Sequence, residues 1–126
     1  MKVLIVDDSE QVRRLIKSFI DDLVSEFVEC DDGADAVAAY AENHPDLVLM
    51  DYEMKHMNGF DATREIKQGF PAAQIIIVSQ WDSPALRQAA RESGASAYVN
   101  KKSLQPLRDF VRYGPGIFNG FGLKEN

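Results

Sequence analysis

The chain has 126 residues, 45% apolar and 27% charged, with a formal net charge of -6. This is the length and make-up of one globular domain, and the acidic balance with no basic stripe argues against nucleic-acid binding by this segment. A single cysteine, Cys30, excludes an intrachain disulfide, and no apolar stretch approaches the roughly 20 residues that span a bilayer.

Val3-Leu4-Ile5-Val6 is an apolar run that ends in Asp7-Asp8. Runs of this kind, rich in Val and Ile, predict strands buried on both faces of a parallel sheet. The run starts directly after Met1-Lys2, which leaves no room for a signal peptide and, with the lone cysteine, sets the expectation of a cytoplasmic protein. Beyond Ser9, the residues Val12, Leu15, Ile16, Phe19, Ile20 and Leu23 recur with helical spacing. A short strand is expected at Glu26 to Glu29. Asp31-Asp32-Gly33 then opens a helix with Ala34, Val37, Ala38 and Ala41 on its inner face, and His44-Pro45 stops it. Asp46 to Met50 reads as a strand running into Asp51. Asn58-Gly59 opens a helix through Ile66 that stops near Gly69-Phe70-Pro71. Ile75 to Val78 is another strand and delivers Ser79. Ser83-Pro84 predicts an N-cap with Pro in the first helical position, for a helix that turns Leu86, Ala89 and Ala90 inward and ends at Gly94. Ala97-Tyr98-Val99-Asn100 is a weaker strand leading to Lys101. A last helix starts near Ser103, carries Leu104, Leu107 and Val111, holds Pro106 in its first turn, and fails at Gly114-Pro115-Gly116. Residues 1–113 thus read as one domain. Residues 114–126 read as a glycine-rich tail or the start of a linker, whose aromatics either stay free or dock back on the body.

Five βα units with right-handed crossovers predict an α/β fold, a doubly wound five-stranded parallel sheet of flavodoxin-like type with helices on both faces. Strand order 2-1-3-4-5 places the first and third strands side by side at the switch point, where ligands bind beyond the strand ends. Asp7, Asp8, Asp51, Ser79 and Lys101 would converge there. Clustered carboxylates repel unless neutralised, and an oxygen-lined acidic pocket suits Mg²⁺. A carboxylate beside such an ion can act as a nucleophile toward phosphorus, with Lys101 offsetting phosphoryl charge and Ser79 donating a hydrogen bond. Read alone, Asp7-Asp8 serves equally well as a helix cap. His44 and His56 read as exposed loop residues without ligand spacing, and Cys30 as a small, at least half-buried side chain rather than a reactive thiol.

The strings Leu4-Ile5-Val6-Asp7-Asp8, Asp46 through Asp51, Met57-Asn58-Gly59, Ile77-Val78-Ser79 and Gly94 through Lys101 follow in order. From Val3 to about Val111 the chain resembles the receiver domain of bacterial two-component response regulators, of the chemotaxis-regulator kind. The resemblance implies a phosphorylation-dependent signalling switch. Asp51 would accept a phosphoryl group from a histidine kinase or phosphotransfer protein. Mg²⁺ would be held by Asp8 directly, by Asp7 largely through water, by Asp51, and by the backbone carbonyl of Glu53. Ser79 would be the switch hydroxyl, Tyr98 the aromatic that changes rotamer with it, and Lys101 the cation that pairs with the phosphoryl group. Such a domain catalyses only its own phosphoryl transfer and hydrolysis, so it is not an enzyme in the usual sense. Its modified state would change partner binding at the surface of the last helix-strand-helix, toward a downstream protein, a fused output domain or a second copy in a phosphorylation-dependent homodimer. No membrane or nucleic-acid partner is implied for this segment.

Four positions depart from the family pattern. Gln80 stands where a small residue is preferred, and Trp81 follows it, so both could shield the site. Lys55 and Lys102 replace prolines after Met54 and Lys101, and the Lys101-Lys102 bond is expected to be trans. The alternative reading is a degenerate receiver that acts as a non-phosphorylated protein-interaction module. A phosphatase of the haloacid-dehalogenase type fits poorly, because its nucleophile follows the first strand and its acid pair comes late.

Overall fold

The five expected strands form a single sheet in a computed structural model that describes residues 1–114, 120 and 121. The strands are β1 (Lys2–Val6), β2 (Glu26–Cys30), β3 (Leu47–Met50), β4 (Ile75–Ser79) and β5 (Ala97–Asn100). All pairs are parallel, in the order β2-β1-β3-β4-β5. The expected order is therefore the observed one.

Alternation along each strand splits the core in two. Val3 and Ile5 face one side with Leu47, Leu49, Ile76 and Val78, whereas Leu4 and Val6 face the other with Val48, Met50, Ile75 and Ile77. Helices α1 (Glu10–Ile20) and α5 (Gln105–Tyr113) cover the first side. Helices α2 (Gly33–Asn43), α3 (Gly59–Gly69) and α4 (Pro84–Ser93) cover the second.

Each of the first four helices starts on a side-chain cap. Ser9 Oγ accepts the Val12 N–H, Asp32 the Ala34 N–H, Asn58 the Asp61 N–H and Ser83 the Leu86 N–H. Two helices end on left-handed residues, His44 at φ 46° and Gly94 at φ 104°. A 3₁₀ turn over Asp21–Leu23 follows α1. Arg108 of α5 reaches that turn, donating to both Asp22 carboxylate oxygens at 2.7 and 2.8 Å and to the Phe19 carbonyl at 3.0 Å.

Two helix faces differ from the periodicity reading. In α2 the buried residues are Gly33, Ala36 and Tyr40, while Ala34, Ala38 and Ala41 are exposed and Val37 is half-buried. Alanines mark a face weakly. The rotation is set by the larger Tyr40, whose ring lies 4.8 Å from that of Phe70, and by Gly33, where a Cβ would stand 2.6 Å from the Met57 carbonyl oxygen. In α1, Leu15 is 48% exposed and the buried pair is Ile16 and Ile20. The other strand and helix boundaries lie within about two residues of expectation. Among the described residues no peptide bond is cis, so Lys101-Lys102 is trans. Of the glycine-rich tail, residues 115–119 and 122–126 lie outside the described residues, and with them Ile117, Phe118 and Leu123.

Among the described glycines, Gly59 makes the tightest approach. A Cβ there would stand 2.0 Å from the carbonyl oxygen of Asp51, which is why α3 can begin directly against the end of β3. Gly69, at the other end of α3, has nothing within 4 Å. Gly59→Ala should therefore cost about 1–3 kcal/mol or more through backbone displacement. Gly69→Ala should be neutral or slightly stabilising. Urea unfolding of the two variants beside the parent protein measures the contrast, and equal stabilities would refute it.

Candidate functional site

Asp7, Asp51 and Lys101 each stand one residue past a strand, at the same edge of the sheet. Lys101 Nζ lies 2.8 Å from Asp7 Oδ2 and 3.0 Å from Asp51 Oδ1. One ammonium thus serves two carboxylates. Asp7 is 1% exposed and Asp51 6%, whereas the neighbouring Asp8 is exposed. These four residues line a cavity of about 360 Å³ together with Ser9, Val12, Glu53, Gln80 and Trp81.

Local hydrogen bonds hold the carboxylates in place. Asp7 Oδ1 accepts the Ser9 N–H at 2.9 Å, and the Asp7 carbonyl accepts from Arg13 at 2.6 Å. Asp51 Oδ1 accepts the Tyr52 N–H at 2.9 Å as well as facing Lys101. Both of these contacts fall on Oδ1 of the carboxylate.

Burial, followed by the charge of Asp7, pushes the Asp51 carboxyl up to about 6, although Lys101 pulls in the other direction. Burial alone would depress Lys101. Its bond to Asp7 and the charges of Asp51 and Asp7 outweigh that and raise it, so the ammonium stays charged.

Three carboxylates offer oxygens that all lie within 4.8 Å of one another, from Asp7, Asp8 and Asp51. Asp7 Oδ2 is fully buried and makes no hydrogen bond of good geometry, so attraction to Lys101 is its compensation. An acidic all-oxygen set with an under-satisfied buried oxygen fits a hard divalent cation such as Mg²⁺.

Ser79 ends β4 and is buried, but it does not line the cavity. Its hydroxyl accepts the Trp81 N–H at 3.1 Å, and its carbonyl accepts the Lys101 N–H at 2.8 Å. Tyr98 points inward, 3% exposed, and its hydroxyl donates to the Trp81 carbonyl. The loop after β4 thus links the hydroxyl and the aromatic through Trp81. Trp81 is 52% exposed as a residue, and its Nε1 donates to Glu53 Oε2 at 2.8 Å. That bond joins two residues of the cavity wall.

His56 has a role that sequence spacing does not reveal. Its backbone N–H donates to Asp32 Oδ2 at 2.9 Å, and its ring lies 3.2 Å from the same oxygen. The Asp32 cap was legible, but its second contact from a loop 24 residues away was not. Cys30 is half-buried, and burial raises its thiol pKa, as expected of an unreactive side chain.

With this geometry in place, comparison with known proteins defines the class. Residues 3–112 match the model of the response regulator receiver domain, and the chain belongs to that family. The chain is 39% identical to the chemotaxis protein CheY of Thermotoga maritima over 108 residues, 85% of this chain and 89% of that one. It is 35% identical to the chemotaxis protein CheY of Halobacterium salinarum over 105 residues, 83% of this chain and 88% of that one. Among solved structures, the response regulator domain of Thermotoga maritima CheB superposes with a TM-score of 0.78 at 28% identity, covering 94% of this chain and 98% of that one. Receiver domains bind Mg²⁺ through acidic residues and interact with histidine kinases and output domains, and the family is consistent with phosphorylation-dependent signalling. Among the described residues, no helix is long and apolar enough to cross a membrane.

The raised carboxyl of Asp51 carries a stability consequence. A group that binds its proton more tightly when folded favours the native state at low pH and loses that advantage as pH rises from about 3.8 to about 6. In buffer with EDTA at pH 7.5, Asp51→Asn should be more stable than the parent by on the order of 2 kcal/mol. The difference should shrink below pH 5. Thermal unfolding across pH tests this, and a less stable variant at pH 7.5 would contradict it.

Proposed function

We propose that this chain is a phosphorylation switch in which Asp51 accepts a phosphoryl group from the phosphohistidine of a histidine kinase or phosphotransfer protein. The observation that carries the reading is the single Lys101 ammonium between Asp7 and Asp51 at the strand ends. Asp51 Oδ2 is the attacking oxygen, because Oδ1 is held by Tyr52 and Lys101. A carboxylate made more basic by burial is a better nucleophile. As the Oδ2–P bond forms and the N–P bond of the donor breaks, the ring nitrogen takes the leaving electron pair. Lys101 then shifts its charge toward a phosphoryl oxygen.

Mg²⁺, when bound, supplies charge neutralisation for the phosphoryl oxygens. Asp8, Asp7, Asp51 and the Glu53 backbone carbonyl are its proposed ligands. Asp8 is exposed at the cavity, while Asp7 is buried, with Oδ1 holding the Ser9 N–H and Oδ2 facing Lys101 without a hydrogen bond.

Ser79 does not face the cavity, so its role requires movement toward the phosphoryl group. That movement would disturb its bond from Trp81 and, through the Trp81 carbonyl, Tyr98. The output would be altered partner binding at α4, β5 and α5. The domain turns over only its own phosphoryl group and is therefore a signalling protein and not an enzyme in the usual sense.

Acetyl phosphate with Mg²⁺ should add one phosphoryl mass to the protein and none to Asp51→Asn. Uptake by that variant at the parental rate would disprove the acceptor assignment. Absence of uptake by the parent protein, with Mg²⁺ bound, would favour the non-phosphorylated interaction module. Titration calorimetry should show a larger loss of Mg²⁺ affinity for Asp8→Ala than for Asp7→Ala, and equal losses would remove the distinction.

The hydrogen-bonded Trp81 and Glu53 line the same cavity as Asp51, through which an attacking water must come in line. Trp81→Ala should shorten the phosphorylated lifetime several-fold. Beryllofluoride with Mg²⁺ should also change the emission of Trp81, which is the sole tryptophan. An unchanged lifetime together with silent fluorescence would assign Trp81 to partner contact.

A further inference from the structure

Strand β5 is an edge of the sheet, and an edge strand presents backbone groups that need partners. Here the Tyr98 N–H donates to the carbonyl of Gly120 at 2.7 Å. Gly120 sits so close to the edge that a Cβ would stand 2.8 Å from the Ser96 carbonyl oxygen and 3.0 Å from Ala97 Cβ. Phe121 packs against the core cluster that includes Tyr98, and the Arg91 guanidinium lies 5.9 Å from its ring centre. Its carbonyl accepts a hydrogen bond from Arg87 at 3.0 Å.

Arg87 has three further attachments. It grips both oxygens of Asp82, at 2.7 and 2.8 Å, and lies 5.1 Å over the Tyr98 ring. Asp82 also accepts from Asn100 at 3.2 Å and follows Trp81, whose N–H is bonded to Ser79 Oγ. A single half-buried guanidinium therefore joins Phe121 to the loop that carries the switch hydroxyl. Its planar fork suits this, because it satisfies a carboxylate and a carbonyl at once while stacking on an aromatic face.

We propose that Gly120-Phe121 is an intramolecular ligand of the α4–β5 face, coupled through Arg87 to the Ser79 loop, so that a partner docking on this face must displace it. The coupling rests on the receiver reading above; the docking does not. The occupant is this chain's own segment. Gly120 supplies the close approach that a residue with a side chain would block, and Phe121 supplies the apolar anchor. Coupling is reciprocal: whatever repositions Ser79, Trp81 and Asp82 changes the hold on the segment, and displacement of the segment changes the loop's equilibrium by the same factor.

Amide hydrogen exchange followed by NMR on the full chain tests both parts. In Gly120→Val, whose side chain meets backbone on the edge strand, the Tyr98 amide should exchange about tenfold faster, with the β3 amides unchanged. Phe121→Ala should act in the same direction more weakly. In the parent protein, Mg²⁺ with beryllofluoride should change Tyr98 exchange at least about threefold. In Arg87→Gln that response should be lost. Equal Tyr98 exchange in the parent and Gly120→Val overturns the docking. Unchanged exchange in a parent protein whose Asp51 carries beryllofluoride overturns the coupling. Failure of beryllofluoride to bind at all would defeat the receiver reading and the coupling with it, while the comparison without it still decides the docking.

Discussion

One ammonium between two buried carboxylates is the interaction on which the site depends. Lys101 cannot neutralise Asp7 and Asp51 together, so the cavity keeps a net negative charge even before the exposed Asp8 is counted. Burying such a set costs free energy, and the raised carboxyl of Asp51 is the visible sign of that cost. The surrounding contacts make sense as its supports. Arg13 holds the Asp7 backbone, Tyr52 offers an N–H to Asp51, and the bare Cα of Gly59 lets the next helix close on the Asp51 carbonyl. The arrangement is least satisfied when it stands alone and gains when a divalent cation enters. Sites built for chemistry often trade stability in this way.

The two acids that follow β1 divide their work by burial. Asp7 is committed to Lys101 and to the Ser9 N–H, and it fixes the start of the first loop. Asp8 projects to solvent at the cavity rim. A dipeptide that reads as two equivalent carboxylates becomes, in the fold, one structural acid and one available acid. In the cavity wall, Glu53 and Trp81 are hydrogen-bonded, which joins the loop after β3, where Asp51 stands, to the loop after β4.

Strand positions and order were legible in the sequence because the signal is local: short strand-forming runs, the first four followed by a capping residue and a helix. The convergence of Asp7, Asp51 and Lys101 followed from the order alone. The inner face of α2 was misread, since alanines carry almost no pattern and Tyr40 with Gly33 decided the rotation. Ser79 was expected at the cavity, yet its hydroxyl is turned to the Trp81 N–H. A strand register gives the position of a residue but not the rotamer that loop hydrogen bonds select. The contacts of Arg87 with Asp82, Tyr98 and Phe121 were also out of reach, because they join segments far apart in the chain and follow no periodicity.

The Arg108 fork has a mechanical meaning. It ties α5 to the turn after α1 through a carboxylate and a carbonyl at once, cross-linking the two helices on that side of the sheet. On the opposite side, Arg87 of α4 makes a second fork, to both carboxylate oxygens of Asp82 and to the Phe121 carbonyl. Each face of the sheet therefore carries an arginine fork: the one on the α4 side holds the loop that supplies Gln80 and Trp81 to the cavity, whereas the one on the α1–α5 side joins Asp22 and Phe19, away from it.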